Sequence, residues 1–106
     1  MSSRLDRVEN WEALAKAAHF RIAEIALRRG VSVRTVERYF STRFHVCPHS
    51  WINRFRFDEA KRLLSLGKSV KEVAGALHFQ NAAYFSYAFK KEFGVSPSQW
   101  SASSFD

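Results

Sequence analysis

Apolar residues recur at steps of three and four along nearly the whole chain, which is the spacing of one buried face of a helix. The alternation typical of a strand is not sustained anywhere, so the pattern predicts an all-α protein. The first stripe predicts a helix over residues 4–18 and leaves open where it ends, around AAHF. The inward positions of this helix are Leu5, Val8, Trp11, Leu14 and Ala18.

Stop and start signals divide the rest of the chain into helices. Glycines that suit a left-handed helix end are Gly30, Gly67 and Gly94. Ser32 and Ser69 suit N-caps, and Pro48 and Pro97 suit first helical turns. The signals predict helices within 21–30, 33–44, 48–66, 70–79 and 82–93, and a short last helix from 97.

The chain also contains a repeat. The stretch YFSTRFHVCPHSW at 39–51 aligns with AFKKEFGVSPSQW at 88–100, which lies 49 positions later. Bulky or conformationally special residues match in five places: Phe40 with Phe89, Phe44 with Phe93, Val46 with Val95, Pro48 with Pro97 and Trp51 with Trp100. Two copies are too few for a solenoid, so the repeat indicates one supersecondary unit used twice.

Each copy has the features of a helix-turn-helix, namely a small residue where the helices cross, a turn residue tolerant of positive φ, and inward apolar anchors. The first copy provides Ala26, Gly30, Val36 and Phe40. The second provides Ala74, His78, Phe85 and Phe89, with a turn one residue longer. His78 and His45 replace glycine, and histidine tolerates positive φ at some strain. A helical hairpin without a DNA role stays an alternative for either copy alone.

A long predicted helix from Pro48 to Leu66 joins the two copies. At a rise of about 1.5 Å per residue it spans roughly 28 Å. Two units that read one side of a duplex need a separation of about 34 Å, one turn of DNA. With the width of the packed units added, this helix can hold the copies near that distance.

The charge balance indicates a polyanionic partner. Lys and Arg number 17 against 10 Asp and Glu, which gives a net charge of +7 and a pI of about 10.1. Nucleic acid is the usual partner of such a chain and an anionic membrane the less usual one, although a basic pI is also common in small domains. The single Cys excludes an internal disulfide and fits a reducing cytoplasm. No apolar run approaches a membrane span, and no signal-peptide pattern is present.

Three stretches carry a family resemblance: GVSVRTVERYF, WINRFRFDEAKRLL and VAGALHFQNAAYFSYAFKKEFGVSPSQW. Over residues 11–100 the chain resembles the DNA-binding domain of AraC/XylS-type transcription regulators. The resemblance implies a bacterial regulator in which two homeodomain-like helix-turn-helix units, joined by a linker helix, place their recognition helices in successive major grooves of promoter DNA. It also implies transcription activation, contact with RNA polymerase and a separate effector-sensing domain.

On this interpretation the chain divides into five segments. They are an N-terminal extension at 1–10, a first helix-turn-helix unit at 11–47, a linker helix at 48–67, a second unit at 68–101 and a C-terminal tail at 102–106.

The resemblance also implies the residues that touch DNA. Base contacts are expected from Arg34, Thr35, Glu37 and Arg38 on the first recognition helix, and from Ala82, Ala83, Ser86 and Tyr87 on the second. Phosphate contacts are expected from Ser32, Arg43, Asn81, Tyr84, Lys90, Lys91 and Ser96. Arg34 and Arg38 are four apart and share a helix face, and Arg is the commonest reader of guanine. For each Arg, a phosphate contact or a solvated charge stays an alternative.

The second recognition helix departs from the family pattern. Tyr87 stands where members often have Arg, and Ala83 stands where they have longer polar residues. Ala can touch a thymine methyl group, whereas Tyr and Ser can reach phosphates. We therefore expect the first unit to supply most of the base specificity and the second mainly to anchor the protein.

Other chemistry is not expected. His45, Cys47 and His49 alternate in HVCPH, but structural zinc prefers four ligands at wider spacing, so we expect no metal. No nucleophile, paired-carboxylate or phosphate-loop pattern stands out, so we expect neither an enzyme nor a cofactor. The alternative function is a helical protein-interaction module that docks on RNA polymerase or another regulator without reading DNA.

The long helix carries basic residues whose role the pattern leaves ambiguous. A solvated face paired with Asp58 and Glu59 is the favoured interpretation for Arg54, Arg56, Lys61 and Arg62.

Overall fold

The structure, a computed structural model, describes residues 4–104, without the side chains of 4, 7 and 102–104. Residues 1–3 of the predicted N-terminal extension and 105–106 of the predicted C-terminal tail lie outside this description. The helices are α1 (Trp11–Ala17), α2 (Ile22–Arg29), α3 (Val33–Phe44), α4 (Pro48–Ser65), α5 (Val70–Ala76), α6 (Ala82–Phe93) and α7 (Pro97–Ser104). Residues 4–104 contain no strand, so the predicted all-α fold is confirmed.

The predicted single helix over residues 4–18 is wrong. The structure has a turn of 3-10 helix at Arg4–Arg7, and α1 begins only at Trp11. Asn10 is the cause, because its side chain accepts a hydrogen bond from the backbone N–H of Ala13 at 3.0 Å while its own backbone is extended. An N-cap residue of this kind starts a helix and cannot lie within one.

The chain folds as two compact units, unit 1 (Met1–Phe55) and unit 2 (Arg56–Asp106). Both contain part of α4, because the boundary falls inside that helix. The finer predicted division into 11–47, 48–67 and 68–101 stays a prediction.

Unit 1 is built around Phe40 of α3, which is 1% exposed. Its ring packs edge-on against Trp11, with ring centroids 4.8 Å apart, and against Trp51 at 5.7 Å. Edge-to-face pairs of this kind add about 0.5–1.5 kcal/mol beyond the burial of their area. The same core contains Leu5, Ile25, Val36, Ile52 and Phe55.

Unit 2 is built around Phe89 of α6, which is fully buried. Its ring centroid lies 4.6 Å from that of Phe93 and 6.3 Å from that of Trp100. Phe57 of α4 is also buried in this core, where its ring centroid lies 6.4 Å from that of Phe89. Because Ile52 and Phe55 of α4 are buried in unit 1, this helix supplies residues to both cores.

The residues predicted to end helices do so in the left-handed conformation. Gly30 follows α2 with φ of 67°, and Gly94 follows α6 with φ of 80°. His45 and His78 adopt φ of 57° and 60°, which confirms that histidine replaces glycine at positive φ in both places. A non-glycine residue in this region costs about 1–2 kcal/mol. The stretch AAHF holds a further tight turn, in which His19 and Phe20 also have positive φ.

Candidate nucleic-acid interface

The first candidate recognition helix, α3, is fixed at its start by Ser32. The Ser32 side chain accepts a hydrogen bond from the backbone N–H of Thr35 at 3.1 Å, and the two hydroxyls lie 2.9 Å apart. Val36 and Phe40 are buried, so their face of α3 holds the helix on unit 1. The predicted base-contacting residues Arg34, Glu37 and Arg38 are exposed, and Thr35 is half-buried.

The exposed side of α3 borders two open grooves. The larger, of about 690 Å³, is lined by Arg34, Glu37, Arg38, Ser41, His45, Val46, Cys47 and Pro48. The smaller, of about 260 Å³, is lined by Thr35, Arg38, Tyr39 and Thr42. Arg38 borders both grooves. The structure therefore brings all four predicted base-contacting residues of unit 1 together on one surface.

An acidic residue from the N-terminal segment holds the flank of α3. The hydroxyl of Tyr39 donates to Asp6 Oδ1 at 2.8 Å. Burial, and then this hydrogen bond, raise the pKa of Tyr39 above its ordinary value, although the charge of Arg43 lowers it. Tyr39 therefore remains a protonated donor at neutral pH. Arg43, a predicted phosphate contact one turn further along α3, is exposed.

The second candidate recognition helix, α6, is capped in the same way. Asn81 Oδ1 accepts a hydrogen bond from the backbone N–H of Tyr84 at 2.7 Å. Phe85 and Phe89 are fully buried and anchor the helix in unit 2. Tyr84 and Tyr87 are 51% and 64% exposed.

The rest of the predicted contact set of α6 is small or lies at its end. Ala83 is exposed, whereas Ala82 and Ser86 are half-buried. Lys90 and Lys91 are exposed in the last turn, so the positive charge of this helix lies at its C-terminal end. The exposed side of α6 thus carries tyrosines and small residues where α3 carries arginines.

Ser96, the last predicted phosphate contact, begins α7 within a reciprocal cap. Its side chain accepts a hydrogen bond from the backbone N–H of Gln99 at 3.2 Å, and its own backbone N–H donates to Gln99 Oε1 at 3.0 Å. Ser32, Asn81 and Ser96 are therefore all N-caps. Their contacts with phosphate stay predictions.

The sequence interpretation missed the role of Arg56 on α4. Arg56 Nε donates to the carbonyl of Leu77 at 2.9 Å, and Nη2 donates to the carbonyl of His78 at 2.6 Å. Its guanidinium carbon lies 3.8 Å from the centroid of the Phe79 ring, a cation–π arrangement. The expected solvated face is therefore wrong for Arg56. No sequence signal could have shown this, because the acceptors are backbone carbonyls.

Two other basic residues of α4 also have specific partners. The ammonium of Lys61 lies 3.7 Å from the centroid of the Phe93 ring, so the solvated face is wrong for this residue too. Arg62 forms a two-bond ion pair with Glu59, as expected, with its Nη2 at 3.0 Å from Oε2.

The structure offers no centre for metal chemistry within the residues it describes, since no group of three or more His, Cys, Asp and Glu side chains there could hold an ion. Nor is any helix of the described part both long and apolar enough to cross a membrane.

Two short helices each followed by a capped helix with an exposed polar face define a class, the double helix-turn-helix DNA-binding domain of transcription regulators. A family model described as a helix-turn-helix domain matches residues 25–103. The chain belongs to the AraC-type family of helix-turn-helix domains, whose members bind DNA sequence-specifically as transcription regulators.

Among curated proteins, the chain is similar to the virulence regulon transcriptional activator VirF of Yersinia enterocolitica, with 30% identity over 81 residues. That match covers 76% of this chain and 30% of VirF. The HTH-type transcriptional activator RhaS of Escherichia fergusonii is 32% identical over 89 residues, covering 83% of this chain and 28% of RhaS. The chain thus spans about 30% of the length of these relatives.

Solved structures share the fold. A transcriptional regulator with an AraC-type DNA-binding domain from Chromobacterium violaceum superposes with a TM-score of 0.70 at 26% identity, over 87% of this chain and 86% of that one. A DNA-binding transcriptional dual regulator from Escherichia coli K-12 also gives a TM-score of 0.70, at 21% identity, over 92% of this chain and 95% of that one. The second match supports the fold alone.

Proposed function

We propose that α3 and α6 are recognition helices that enter successive major grooves of promoter DNA. The observation that carries this proposal is the exposed side of α3, where Arg34 and Arg38 border an open groove opposite the buried anchors. A major groove admits a helix presented in this way, and Arg can pair with guanine through two hydrogen bonds. The net charge of +7 favours a phosphate backbone as the partner surface.

One chain contains both units, and each includes part of α4, which has 18 residues. Most helix-turn-helix proteins reach two successive grooves as dimers, whereas this chain carries both units itself.

The two units have different roles in this complex. Arg34 and Arg38 read bases, with Thr35 and Glu37 beside them, and Arg43 and Ser32 contact phosphates. In unit 2, Ala82, Ala83, Ser86 and Tyr87 meet base edges with little hydrogen bonding. Backbone contacts there come from Asn81, Tyr84, Lys90, Lys91 and Ser96. Unit 2 therefore anchors the protein more than it selects a sequence.

The activity of the whole protein follows the relatives, which are named as transcriptional activators. We infer a non-enzymatic activator that acts in the cytoplasm, contacts RNA polymerase and works together with an effector-sensing domain. This inference rests on family membership, because the chain spans only about 30% of the length of those relatives.

Selection from a random duplex library of about 30 base pairs, followed by titration of the selected duplexes against salt, tests the proposal. We expect a bipartite motif with half-sites about 10 base pairs apart, sharper at the half-site that unit 1 reads. Affinity should fall steeply with salt because Lys and Arg displace counterions from phosphates. Weak binding to every duplex without enrichment would contradict the proposal and would favour a protein-interaction module.

A further inference from the structure

The turn before α6 is longer than the turn before α3, and it has histidine instead of glycine at the position with positive φ. In unit 1, Gly30 takes the left-handed conformation and Ser32 caps α3 two residues later. In unit 2, His78 takes that conformation and Asn81 caps α6 three residues later. A longer turn has more conformations, and a histidine at positive φ is strained, so this turn needs a constraint from outside.

Arg56 provides such a constraint. It donates one hydrogen bond to the carbonyl of Leu77, the residue that ends α5, and another to the carbonyl of the strained His78. A guanidinium presents its donors in a rigid planar fork, so two bonds to consecutive carbonyls fix the peptide between them. The two units differ in sequence at this position, because the offset that relates Gly30 to His78 relates Val8 to Arg56.

The constraint reaches α6 through packed rings. The guanidinium carbon of Arg56 lies 3.8 Å from the centroid of the Phe79 ring. The centroid of the Phe79 ring lies 4.8 Å from that of Phe85 and 6.5 Å from that of Tyr84. Phe85 is a fully buried anchor of α6, and Tyr84 is one of its exposed residues. A displacement of Phe79 would therefore shift side chains on both the buried and the exposed side of α6.

We infer that Arg56 is a positioning residue for DNA binding by unit 2: it fixes the α5–α6 turn and so sets the orientation of α6, without touching DNA itself. This inference rests on the proposed function, because it matters only if α6 meets DNA. Lysine at this position keeps the charge and can keep the stacking, but it lacks the fork that holds both carbonyls.

The experiment compares two duplexes, one with both selected half-sites and a shorter one that ends after the half-site of unit 1. The ratio of the two affinities reports what unit 2 contributes. We expect the wild type to bind the longer duplex at least about tenfold more tightly, since several phosphate contacts are added. Arg56→Lys should lower this ratio about fivefold or more while leaving the affinity for the shorter duplex unchanged.

Two matched controls separate positioning from stability. Arg62→Lys makes the same change on the same helix, but the side chain of Arg62 pairs with Glu59 at the surface. Ser69→Ala removes the N-cap of α5 and lowers the Tm without touching the turn after it. All variants are measured well below their Tm, and we expect both controls to keep the wild-type ratio.

The outcomes are distinct. The inference is supported if the affinity ratio falls below its wild-type value only in Arg56→Lys, and if the amide resonances of Asn81 and Tyr84 shift in that variant. A ratio that Arg56→Lys leaves intact, or lowers no more than Ser69→Ala does, overturns it while the proposed function stands. Equal wild-type affinity for both duplexes would show that unit 2 does not meet DNA, which overturns the inference and the two-groove proposal together.

Discussion

Units 1 and 2 place different residues in the turn before their candidate recognition helix. Gly30 takes positive φ in the first turn at no steric cost, because it has no Cβ. The second turn has His78 in that position, and Arg56 from a distant helix holds its carbonyl. A glycine suited to positive φ is visible in a sequence pattern, whereas the contact of Arg56 with His78 is not.

The exposed faces of the two helices differ as well. Two arginines border the groove on α3, whereas α6 presents Tyr84 and Tyr87 and keeps its lysines in the last turn. Arginine selects among bases, whereas tyrosine and lysine mostly contact the backbone. We therefore expect the two units to differ in how much of the sequence preference each supplies.

The largest expected effect comes from the central phenylalanines. Phe40→Ala and Phe89→Ala each remove a buried ring, which costs about 3–5 kcal/mol. This is a large fraction of the total stability of a small domain, about 5–15 kcal/mol. We expect each variant to unfold mainly its own unit. The indole NMR signals of Trp11 and Trp51 report unit 1, and that of Trp100 reports unit 2. Simultaneous loss of all three signals in both variants would show that the units fold as one.

Base reading should give the next largest effect. Arg38→Ala is expected to flatten the sequence preference at one half-site, with a loss of about 1–3 kcal/mol of discrimination if its pair with guanine is bidentate. Tyr87→Ala is expected to weaken binding to all sequences similarly, because Tyr87 meets a base edge with little hydrogen bonding and so discriminates little among bases. Affinities for the selected duplex and a panel of single-base variants measure both effects. The reverse pattern, with Tyr87→Ala changing preference and Arg38→Ala not, would contradict the assignment.

The fold was predictable where the sequence carries local signals. Serine and asparagine caps, glycine ends and the repeated Phe and Trp positions are all encoded within a few residues, and they gave six of the helices close to their structural bounds. Asn10 was missed because the apolar stripe continues through it, although its side chain caps the start of a new helix. Arg56 and the pair of Asp6 with Tyr39 could not be predicted, because their partners are 21, 22 and 33 positions away. The exposure of the predicted DNA-contacting residues on α3 followed from helix periodicity, whereas the contacts themselves stay predictions.

Substitution of the residue that ends each recognition helix should change the stability by a smaller amount, with opposite signs for the two helices. His45 and Gly94 both follow their helix at positive φ. His45→Gly removes strain of about 1–2 kcal/mol, offset by the greater freedom of glycine in the unfolded chain, about 0.5–1 kcal/mol. Gly94→Ala has open space for the added Cβ but introduces the strain, so we expect a loss of about 1 kcal/mol. Urea denaturation followed unit by unit measures both changes. A loss of stability in His45→Gly would mean that the imidazole makes contacts worth more than the strain.

The smallest expected effect concerns the start of the helix that precedes each turn. In unit 2, Ser69 and Glu72 form a capping box, with Ser69 N–H donating to Glu72 Oε1 at 3.2 Å and Glu72 N–H donating to Ser69 Oγ at 3.1 Å. In unit 1, Arg21 begins α2 without a side-chain cap. The hydrogen bond from the backbone of Ser69, followed by that involving its side chain, lowers the pKa of Glu72 below its ordinary value.

A carboxylate whose pKa is lower in the folded state stabilises the protein above its unfolded pKa, and this contribution is lost as the pH falls through the folded pKa. We therefore expect the Tm difference between wild type and Glu72→Gln to be larger at about pH 7 than at about pH 3. The effect should appear in the unfolding of unit 2, reported by Trp100, and not in that of unit 1. Glu24→Gln is the matched control, because Glu24 occupies the same position of an uncapped helix and pairs with Arg28 at the surface instead. A pH dependence of the same size in both variants would assign it to the general charge balance of this basic chain rather than to the capping box of α5.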